Sequence, residues 1–258
     1  DRDLGPSPVV PGLEVEPGEY VLSLDAPGHA TARVPLHVRR GAEGVVAVKV
    51  ELAPADGVPP GFVHVPAGEF YAGGDPAAVR PLVARREPVW VASFFLGAHE
   101  VTVAEYAAFL DALLEAERGA HLPAPWQLQP RPDDPARVVP RPGCERQPIA
   151  GVRQDSARAY CRWLSARLGR RFRLPTDVEW EKAARGPAGR FFPWGDAFHA
   201  DAANLHRGGD EPGAPDLAPV GAHARDQSIY GVFDLAGNVA EWVEGRFAGE
   251  PRFGVLRG

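Results

Sequence analysis

Alternating apolar and polar positions in the first 50 residues predict β-strands. Tyr20, Leu22 and Leu24 lie on one face of a first strand, and the same alternation recurs over 34–38 and over 46–50. Pro-Gly and Gly-rich turns separate the three runs. The pattern predicts a small all-β module at the N-terminal end of the chain.

Changes in composition predict the boundaries of the modules. A Pro-rich linker covers 1–12, and the all-β module covers 13–53. A second linker covers 54–60, within the segment "APADGVPP". A larger domain over 61–258 follows.

The larger domain opens with strand-like sequence. Val63 and Val65, followed by Phe70 after a Pro-Ala-Gly turn, predict a β-hairpin. A further strand precedes the first helix. Residues 118–148 are rich in Pro and Arg and show little periodicity, which predicts a long surface loop.

Three segments have the periodicity of α-helices. The first begins at a capping box formed by Thr102 and Glu105. The second ends at Gly169, which is typical of a helix C-terminus. The third begins at another capping box, formed by Thr176 and Glu179. Few helices, short strands and much loop predict an α+β fold class.

Charge and hydropathy exclude two kinds of partner. The 258-residue chain has a formal net charge of −6, and its densest basic run, "RLGRRFRLP", follows a predicted helix. A nucleic-acid partner requires a concentrated basic face, so none is expected. No apolar stretch approaches the roughly 18 residues that span a bilayer. The chain starts at Asp1 and contains no Met, so we expect it to be a fragment of a longer protein.

Two cysteines, Cys144 and Cys161, are too few for a disulfide framework or a zinc cluster. Cys161 lies on the apolar face of the second helix, which predicts a core position. Cys144 lies in the Pro/Gly/Arg-rich loop, which favours a free thiol over a bond to Cys161. A loop-borne thiol without disulfides favours a reducing compartment such as the cytoplasm.

Candidate chemistry is limited to two acid-containing loops, because the common catalytic motifs are not present. In "DLAGNVAEW" two acids, Asp234 and Glu241, flank a Gly-Asn bend. Calcium takes six to eight oxygens from carboxylates and backbone carbonyls, and the carbonyls of Gly237 and Val239 fit that requirement. A second set of oxygens lies upstream: Asn204, the Leu205 carbonyl, Asp210, Glu211 and Asp216. From spacing alone, turns with solvated acids remain the more common explanation of both loops.

Eight segments occur in series: "FVHVPAGEFYAGG", "FFLGAHEVTVAEYAAFL", "PIAGVRQDSARAYCRWLSARL", "RFRLPTDVEWEKAARG", "FFPWGD", "AAN", "PVGAHARDQSIYGVFDLAGNVAEW" and "VLRG". Together they resemble the formylglycine-generating enzyme, or sulfatase-modifying factor, family over 61–258. The resemblance implies an irregular α+β fold related to C-type lectins. It also implies two structural Ca²⁺ sites. One would use Asp234, Gly237, Val239 and Glu241, and the other Asn204, Leu205 and an acid of the 210–216 loop, with Asp210 as the first choice.

The resemblance does not place catalytic residues in this chain. Enzymes of the family hold Cu(I) with two cysteines that follow the segment matching "VLRG", and they oxidise a substrate cysteine with O₂. Cu(I) is therefore expected only if such cysteines follow Gly258 in the intact protein, since neither Cys144 nor Cys161 matches them. Two further departures are Gln154 and Ala240, which stand where the family usually has Trp.

The N-terminal module resembles PEGA-like β domains. Its position directly before "PPGFVHVPAGEF" resembles bacterial serine/threonine kinases fused to a sulfatase-modifying-factor domain. Two functions follow from the resemblances. The favoured one is a module that binds a protein or peptide ligand and regulates an attached kinase domain. The alternative is a formylglycine-generating oxidase.

Overall fold

The computed structural model describes residues 14–38, 40–41, 50–74, 86–205, 216–246 and 254–258. The predicted linker at 1–12 and nearly all of the third predicted strand at 46–50 lie outside the described residues. Four α-helices are present among the described residues: α1 (Val103–Ala112), α2 (Glu115–Arg118), α3 (Gln154–Leu168) and α4 (Asp177–Arg185). The strands are β1 (Gly18–Leu24), β2 (Ala32–Val38), β3 (Phe62–Val65), β4 (Gly68–Ala72), β5 (Glu87–Val91), β6 (Phe94–Gly97), β7 (Leu128–Pro130), β8 (Val138–Pro140), β9 (Glu241–Arg246) and β10 (Gly254–Arg257).

In the described part of the chain, the strands form five antiparallel two-stranded ladders: β1 with β2, β3 with β6, β4 with β5, β7 with β8, and β9 with β10. Ladders of two strands are marginally stable alone, so they depend on packing against the helices. Short ladders, few helices and long connections agree with the predicted α+β class.

The predicted β3–β4 hairpin is wrong, since β3 pairs with β6 and β4 pairs with β5. A buried lysine of α4 accounts for the difference. Lys182 Nζ donates to the Pro66 carbonyl at 2.7 Å and to the Gly68 carbonyl at 3.1 Å. The Pro66 and Gly68 carbonyls between β3 and β4 thus bind the Lys182 ammonium group. Because these carbonyls are used in this way, β3 and β4 do not pair with each other and join separate ladders.

The segment 118–148 contains more structure than the surface loop that its composition predicts. Here β7 and β8 pair, and Leu128 is buried between them and α1. Gln127 is also buried, and both ends of its amide are bonded. Its Nε2 donates to the Pro148 carbonyl at 2.7 Å, and its Oε1 accepts from Ala150 N at 2.8 Å. Pairing with a distant backbone segment is not visible in local periodicity.

The predicted helix ends are confirmed. Reciprocal capping bonds join Thr102 to Glu105 at the start of α1 and Thr176 to Glu179 at the start of α4. Gly169 ends α3 in the left-handed conformation, with φ 62°. Each of these signals depends on residues within one helical turn.

Two hydrophobic cores organise the domain. We call the first the strand core: Val65, Trp180, Ala183, Ala184, Tyr230, Val232, Leu235 and Val243. We call the second the helical core: Val103, Tyr106, Ala107, Phe109, Leu110, Leu128, Ala159 and Tyr160. The segment 226–241 borders the strand core, so packing there fixes the predicted calcium loop.

Cys144 and Cys161 are both free, partly buried thiols, and Cys144 packs against the helical core. Burial, followed by the charge of Glu244, raises the pKa of Cys161 to about 11, which agrees with the predicted structural position. None of the helices in the described residues is long and apolar enough to cross a membrane.

Candidate cation site

Backbone geometry brings the two predicted calcium loops into contact. Asp234 and Asn238 have positive φ angles of 60° and 62°, which bend the chain on both sides of Gly237. A Cβ on Gly237 would lie 2.6 Å from the backbone oxygen of Asn204, so glycine is required for this approach. Asn238 N also donates to the Asn204 carbonyl at 2.9 Å.

Asn238 is a central hydrogen-bonding residue of the site. Its Oδ1 accepts from Asn204 Nδ2 at 3.1 Å and from Ala218 N at 3.0 Å. Its Nδ2 donates to Glu100 Oε1 at 3.1 Å and to the Ala218 carbonyl at 3.2 Å. Asn204 Nδ2 additionally donates to the Asp216 carbonyl at 2.8 Å. One amide therefore connects three separate segments, a role that the sequence prediction did not include.

Four carboxyl groups lie near this bend: Glu100, Asp226, Asp234 and Glu241. Asp234 is 2% exposed, and its Oδ2 accepts from Gly221 N at 2.6 Å. Burial raises the pKa of Glu100 to about 10, with further contributions from the charges of Asp234 and Glu241. Burial also raises the pKa of Asp226 to about 6 and that of Glu241 to about 7. We call these four residues the acid cluster.

Two oxygens of the acid cluster have no hydrogen-bond partner. Glu100 Oε2 and Asp226 Oδ1 are buried, and neither is bonded within the described part of the chain. Their residues are 9% and 1% exposed. Buried acceptors without donors are costly, and several buried negative charges together are more so. A divalent cation bound beside the cluster would offset both costs, and carboxylate oxygens are the ligands that a hard cation prefers.

The structure describes all of the predicted calcium ligands except Asp210. Asp234 and Glu241 influence each other electrostatically, and Asn204 meets the backbone of Gly237. Leu205 N donates to the Ala203 carbonyl in the turn beside them. Val239 is partly buried in the same bend. Asp210 lies outside the described residues.

No group of three or more His, Cys, Asp or Glu side chains within the described ranges is arranged to hold a metal ion by itself. The predicted sites use two carboxylates at most from those ranges, and they take their other oxygens from amides and backbone carbonyls. Calcium binding therefore stays a prediction. The sequence prediction also missed Glu100 and Asp226. Glu100 lies two residues before Thr102, the first residue of the α1 capping box.

The two positions that depart from the family pattern lie at different depths. Gln154 is held by a bond from its Nε2 to the Val243 carbonyl at 2.8 Å. Ala240 is exposed. Close by, Trp242 Nε1 donates to the Val152 carbonyl at 2.8 Å. The region around β9 is thus tied to the start of α3 by polar bonds.

Irregular loops fixed by short ladders, with an acid-containing bend beside the strand core, agree with an α+β domain of the sulfatase-modifying-factor class. The model of the family "Sulfatase-modifying factor enzyme 1-like domain" matches residues 49–258. The chain belongs to this family.

Curated relatives include proteins named as enzymes, one named as an inactive enzyme, and kinases. The inactive C-alpha-formylglycine-generating enzyme 2 of Mus musculus is 32% identical over 77% of this chain and 73% of that protein. The formylglycine-generating enzyme of Bos taurus is 30% identical over 71% of this chain. The serine/threonine-protein kinase Pkn1 of Chlamydia trachomatis is 28% identical, also over 71%.

This chain spans 57% of the bovine enzyme and 27% of the kinase. Among solved structures, PvdO from Pseudomonas aeruginosa aligns with a TM-score of 0.55 at 28% identity. The alignment covers 76% of this chain and 80% of PvdO.

Proposed function

We propose that this chain is a regulatory domain of a larger bacterial protein, in which it binds a protein or peptide ligand and controls an attached kinase domain. The similarity to a chlamydial kinase supports a kinase link, and the similarity to an inactive paralogue supports a role without catalysis. Fold alone does not decide function, so the proposal depends on how the domain is joined to its neighbour.

The observation that carries the proposal is the docking of the β1–β2 hairpin onto the domain. Arg190 forms an ion pair with Glu19 of β1. Arg33 of β2 reaches the segment that carries the acid cluster, where its Nη1 lies 3.6 Å from the position that a Cβ on Gly231 would occupy. Ala32 and Val34 are buried on the same strand. A displacement of the hairpin would therefore act directly on the domain.

The connecting segment is held as well. Arg170, which follows α3, donates to the backbone carbonyls of Asp56 and Gly57. The hairpin is thus attached through its side chains and through its linker. In this proposal the hairpin transmits ligand binding in the domain to the kinase.

The test uses the intact protein and measures phosphate transfer from ATP. Arg190→Glu breaks the ion pair with Glu19, and we expect it to change the transfer rate several-fold. The double exchange of Glu19→Arg with Arg190→Glu should restore the rate, since it re-forms the pair. Arg225→Glu is the matched control, because its pair with Asp201 is exposed. An intact protein without phosphate transfer, or one indifferent to Arg190→Glu, would overturn the proposal.

We further propose that the domain binds structural Ca²⁺. Asp234, Glu241 and the carbonyls of Gly237 and Val239 would hold one ion. Asn204, the Leu205 carbonyl and Asp210 would hold a second. Bound calcium would neutralise the acid cluster and fix the bend at Gly237 against Asn204, and it would supply no catalytic step.

The second candidate is a formylglycine-generating oxidase, which the similarity to the bovine enzyme favours. Cys161 does not fit a Cu(I) site, because burial raises the pKa of its thiol to about 11 and the metal binds thiolate. Cys144 alone does not supply the two cysteines that the family's Cu(I) site uses. Copper would require cysteines beyond Gly258. Incubating the intact protein with Cu(I), O₂ and a cysteine peptide tests this directly. An aldehyde product detected by mass spectrometry would establish the oxidase, and an unchanged peptide would exclude it.

A further inference from the structure

A cavity of about 460 Å³ opens between α1, α2 and α3, on the edge of the helical core. This volume lies within the range of small-molecule sites, roughly 300–1,000 Å³. Leu113 and Trp163 supply accessible apolar surface, and Phe109 and Ala159 are buried behind them. Glu117 and Arg162 supply one charge of each sign at the rim. The cavity is separate from the acid cluster, which borders the strand core.

Its aromatic wall is fixed before any ligand arrives. Trp163 packs against Phe109 and Tyr160, with ring centroids 5.7 and 5.5 Å apart. Arg167 lies over the Trp163 ring at 5.3 Å. Rings held on several sides lose little conformational freedom on binding, which favours a ligand with a flat apolar group.

The opposite wall is fixed by backbone contacts. Buried Arg118 donates to the carbonyl of Leu110 at 2.9 Å and to that of Leu113 at 3.1 Å, which ties α2 to the end of α1. Tyr106 donates through its hydroxyl to the His121 carbonyl at 2.9 Å. The Nδ1 atom of His121 lies 3.0 Å from Ser156 Oγ. The position of Glu117 therefore follows from a rigid helix–helix contact.

The two charged side chains are unpaired. Among the ion pairs formed by the described residues, none includes Glu117 or Arg162, so the two do not neutralise each other. A carboxylate and a guanidinium on different helices, with apolar surface between them, complement a molecule that carries both charges and an apolar body.

We infer that this cavity binds a small zwitterion with an aromatic body, the chemical class of free aromatic amino acids. The ligand's carboxylate pairs with Arg162, its ammonium pairs with Glu117, and its ring packs against the accessible surface of Trp163 and Leu113. This inference goes beyond the proposed function, because it gives the domain a small-molecule ligand in addition to the proposed protein or peptide ligand.

The experiment is calorimetric titration of the 258-residue chain with three probes of similar ring size. Phenylalanine carries both charges, phenylpropionate carries only the negative one, and phenethylamine carries only the positive one. We expect phenylalanine to bind at least about tenfold more tightly than either other probe, because only phenylalanine makes both charge-assisted contacts.

Paired variants assign the contacts. Arg162→Gln should weaken phenylalanine and phenylpropionate about tenfold and leave phenethylamine unchanged. Glu117→Gln should weaken phenylalanine and phenethylamine and leave phenylpropionate unchanged. Arg171→Gln and Glu115→Gln are the controls, since they remove exposed charges that do not line the cavity. All four sites are on the surface, so the fold should be retained.

Two outcomes would overturn the inference: no saturable binding at millimolar phenylalanine, or equal losses in the control variants. Phenylalanine binding without any response in phosphate transfer by the intact protein would leave the cavity assigned and leave kinase control to the proposed protein or peptide ligand. Regulation through the hairpin with no phenylalanine binding would support the proposed kinase control and remove the proposed zwitterion site.

Discussion

One buried polar side chain beside the helical core is hydrogen-bonded at both ends, whereas two in the acid cluster are each bonded at one end. Beside the helical core, Gln127 uses both ends of its amide in hydrogen bonds to backbone. In the acid cluster, Glu100 and Asp226 each leave one buried oxygen without a partner in the described residues. Beside the helical core, protein groups alone satisfy the hydrogen bonds of the buried Gln127 amide. The second carries excess negative charge, and this difference is why we propose a cation in one place and an apolar ligand pocket beside the other.

The strand core stands between these extremes, because it borders a buried cation that the protein itself supplies. Lys182 is 1% exposed, and its ammonium reaches three carbonyls, those of Pro66, Gly68 and Val91. These three carbonyl oxygens match the three donors of the ammonium group, so Lys182 is buried with its hydrogen-bonding capacity used. Changes in each region should therefore have effects of different size and different dependence on solution conditions.

The largest effect is expected from Phe109→Ala in the helical core. Phe109 is 1% exposed and contacts the rings of Tyr106 and Tyr160. Its removal should lower the free energy of unfolding by about 3–5 kcal/mol, independent of calcium. Urea unfolding measures this loss. Leu114→Ala is the control, since Leu114 is 72% exposed, and an equal loss there would contradict the distinction between core and surface.

A smaller effect, specific to the acid cluster, is expected from calcium. An ion that binds only the native state stabilises it by about 2.7 kcal/mol when free calcium is roughly 100-fold above Kd. A chelator should therefore lower the Tm of the domain. Asp234→Ala and Glu241→Ala should abolish the difference between the Tm values with and without calcium.

Asp133→Ala is the matched control, because it removes an exposed acid far from the predicted ligands in sequence. Its calcium response should equal that of the unsubstituted chain. A metal-free protein with an unchanged Tm would refute the calcium proposal and leave the unbonded oxygens of Glu100 and Asp226 without an explanation.

The sequence predicted those parts of the fold that depend on near neighbours. The capping boxes at Thr102 and Thr176 are recognisable because both partners lie within one turn. The pairing of β3 with β6 was not predictable, because the carbonyls at the end of β3 bind Lys182, 116 residues away. The acid cluster shows the same limit. Glu100 is 138 residues from the Asn238 amide that bonds it, and local spacing carries no sign of that contact.

The next prediction concerns the buried cation of the strand core. Lys182→Met leaves three buried carbonyls without their donor and should cost about 2 kcal/mol, because relief from burying a charge offsets part of the loss. Circular dichroism during thermal unfolding measures the change. A variant as stable as the parent would show that the ammonium contacts contribute nothing.

The pH dependence of this cost has a defined sign. Burial lowers the pKa of Lys182 to about 8, whereas an unfolded lysine titrates near 10.4. Between these values the unfolded state binds more protons, so the stability of the parent should rise relative to Lys182→Met as the pH increases from about 8 to about 10. A constant or narrowing difference would contradict the assignment.

The smallest expected effect has the opposite direction and returns to the acid cluster. In calcium-free protein the native pKa values of Glu100, Asp226 and Glu241 lie above their unfolded values. The native state then binds more protons above about pH 4.5, so stability should fall as the pH rises from about 5 to about 8. Glu100→Gln stays neutral and keeps an acceptor for Asn238. The substitution removes this proton-linked penalty but buries a new amide group that offsets most of the gain. It should therefore stabilise the calcium-free protein by about 1 kcal/mol at pH 7 and by less at pH 5.

Calcium should remove this advantage, because the ion takes over the neutralisation of the cluster and binds more tightly as the carboxylates lose their protons. Urea unfolding at several pH values, with chelator and with calcium, separates the effect of carboxyl protonation on stability from the effect of calcium binding. Glu115→Gln, on the exposed side of α2, is the control and should show no such slope. If Glu100→Gln instead destabilises the calcium-free protein at pH 7, Glu100 is ionised in the native state. That result would contradict the raised pKa of Glu100 and add one more negative charge to the acid cluster.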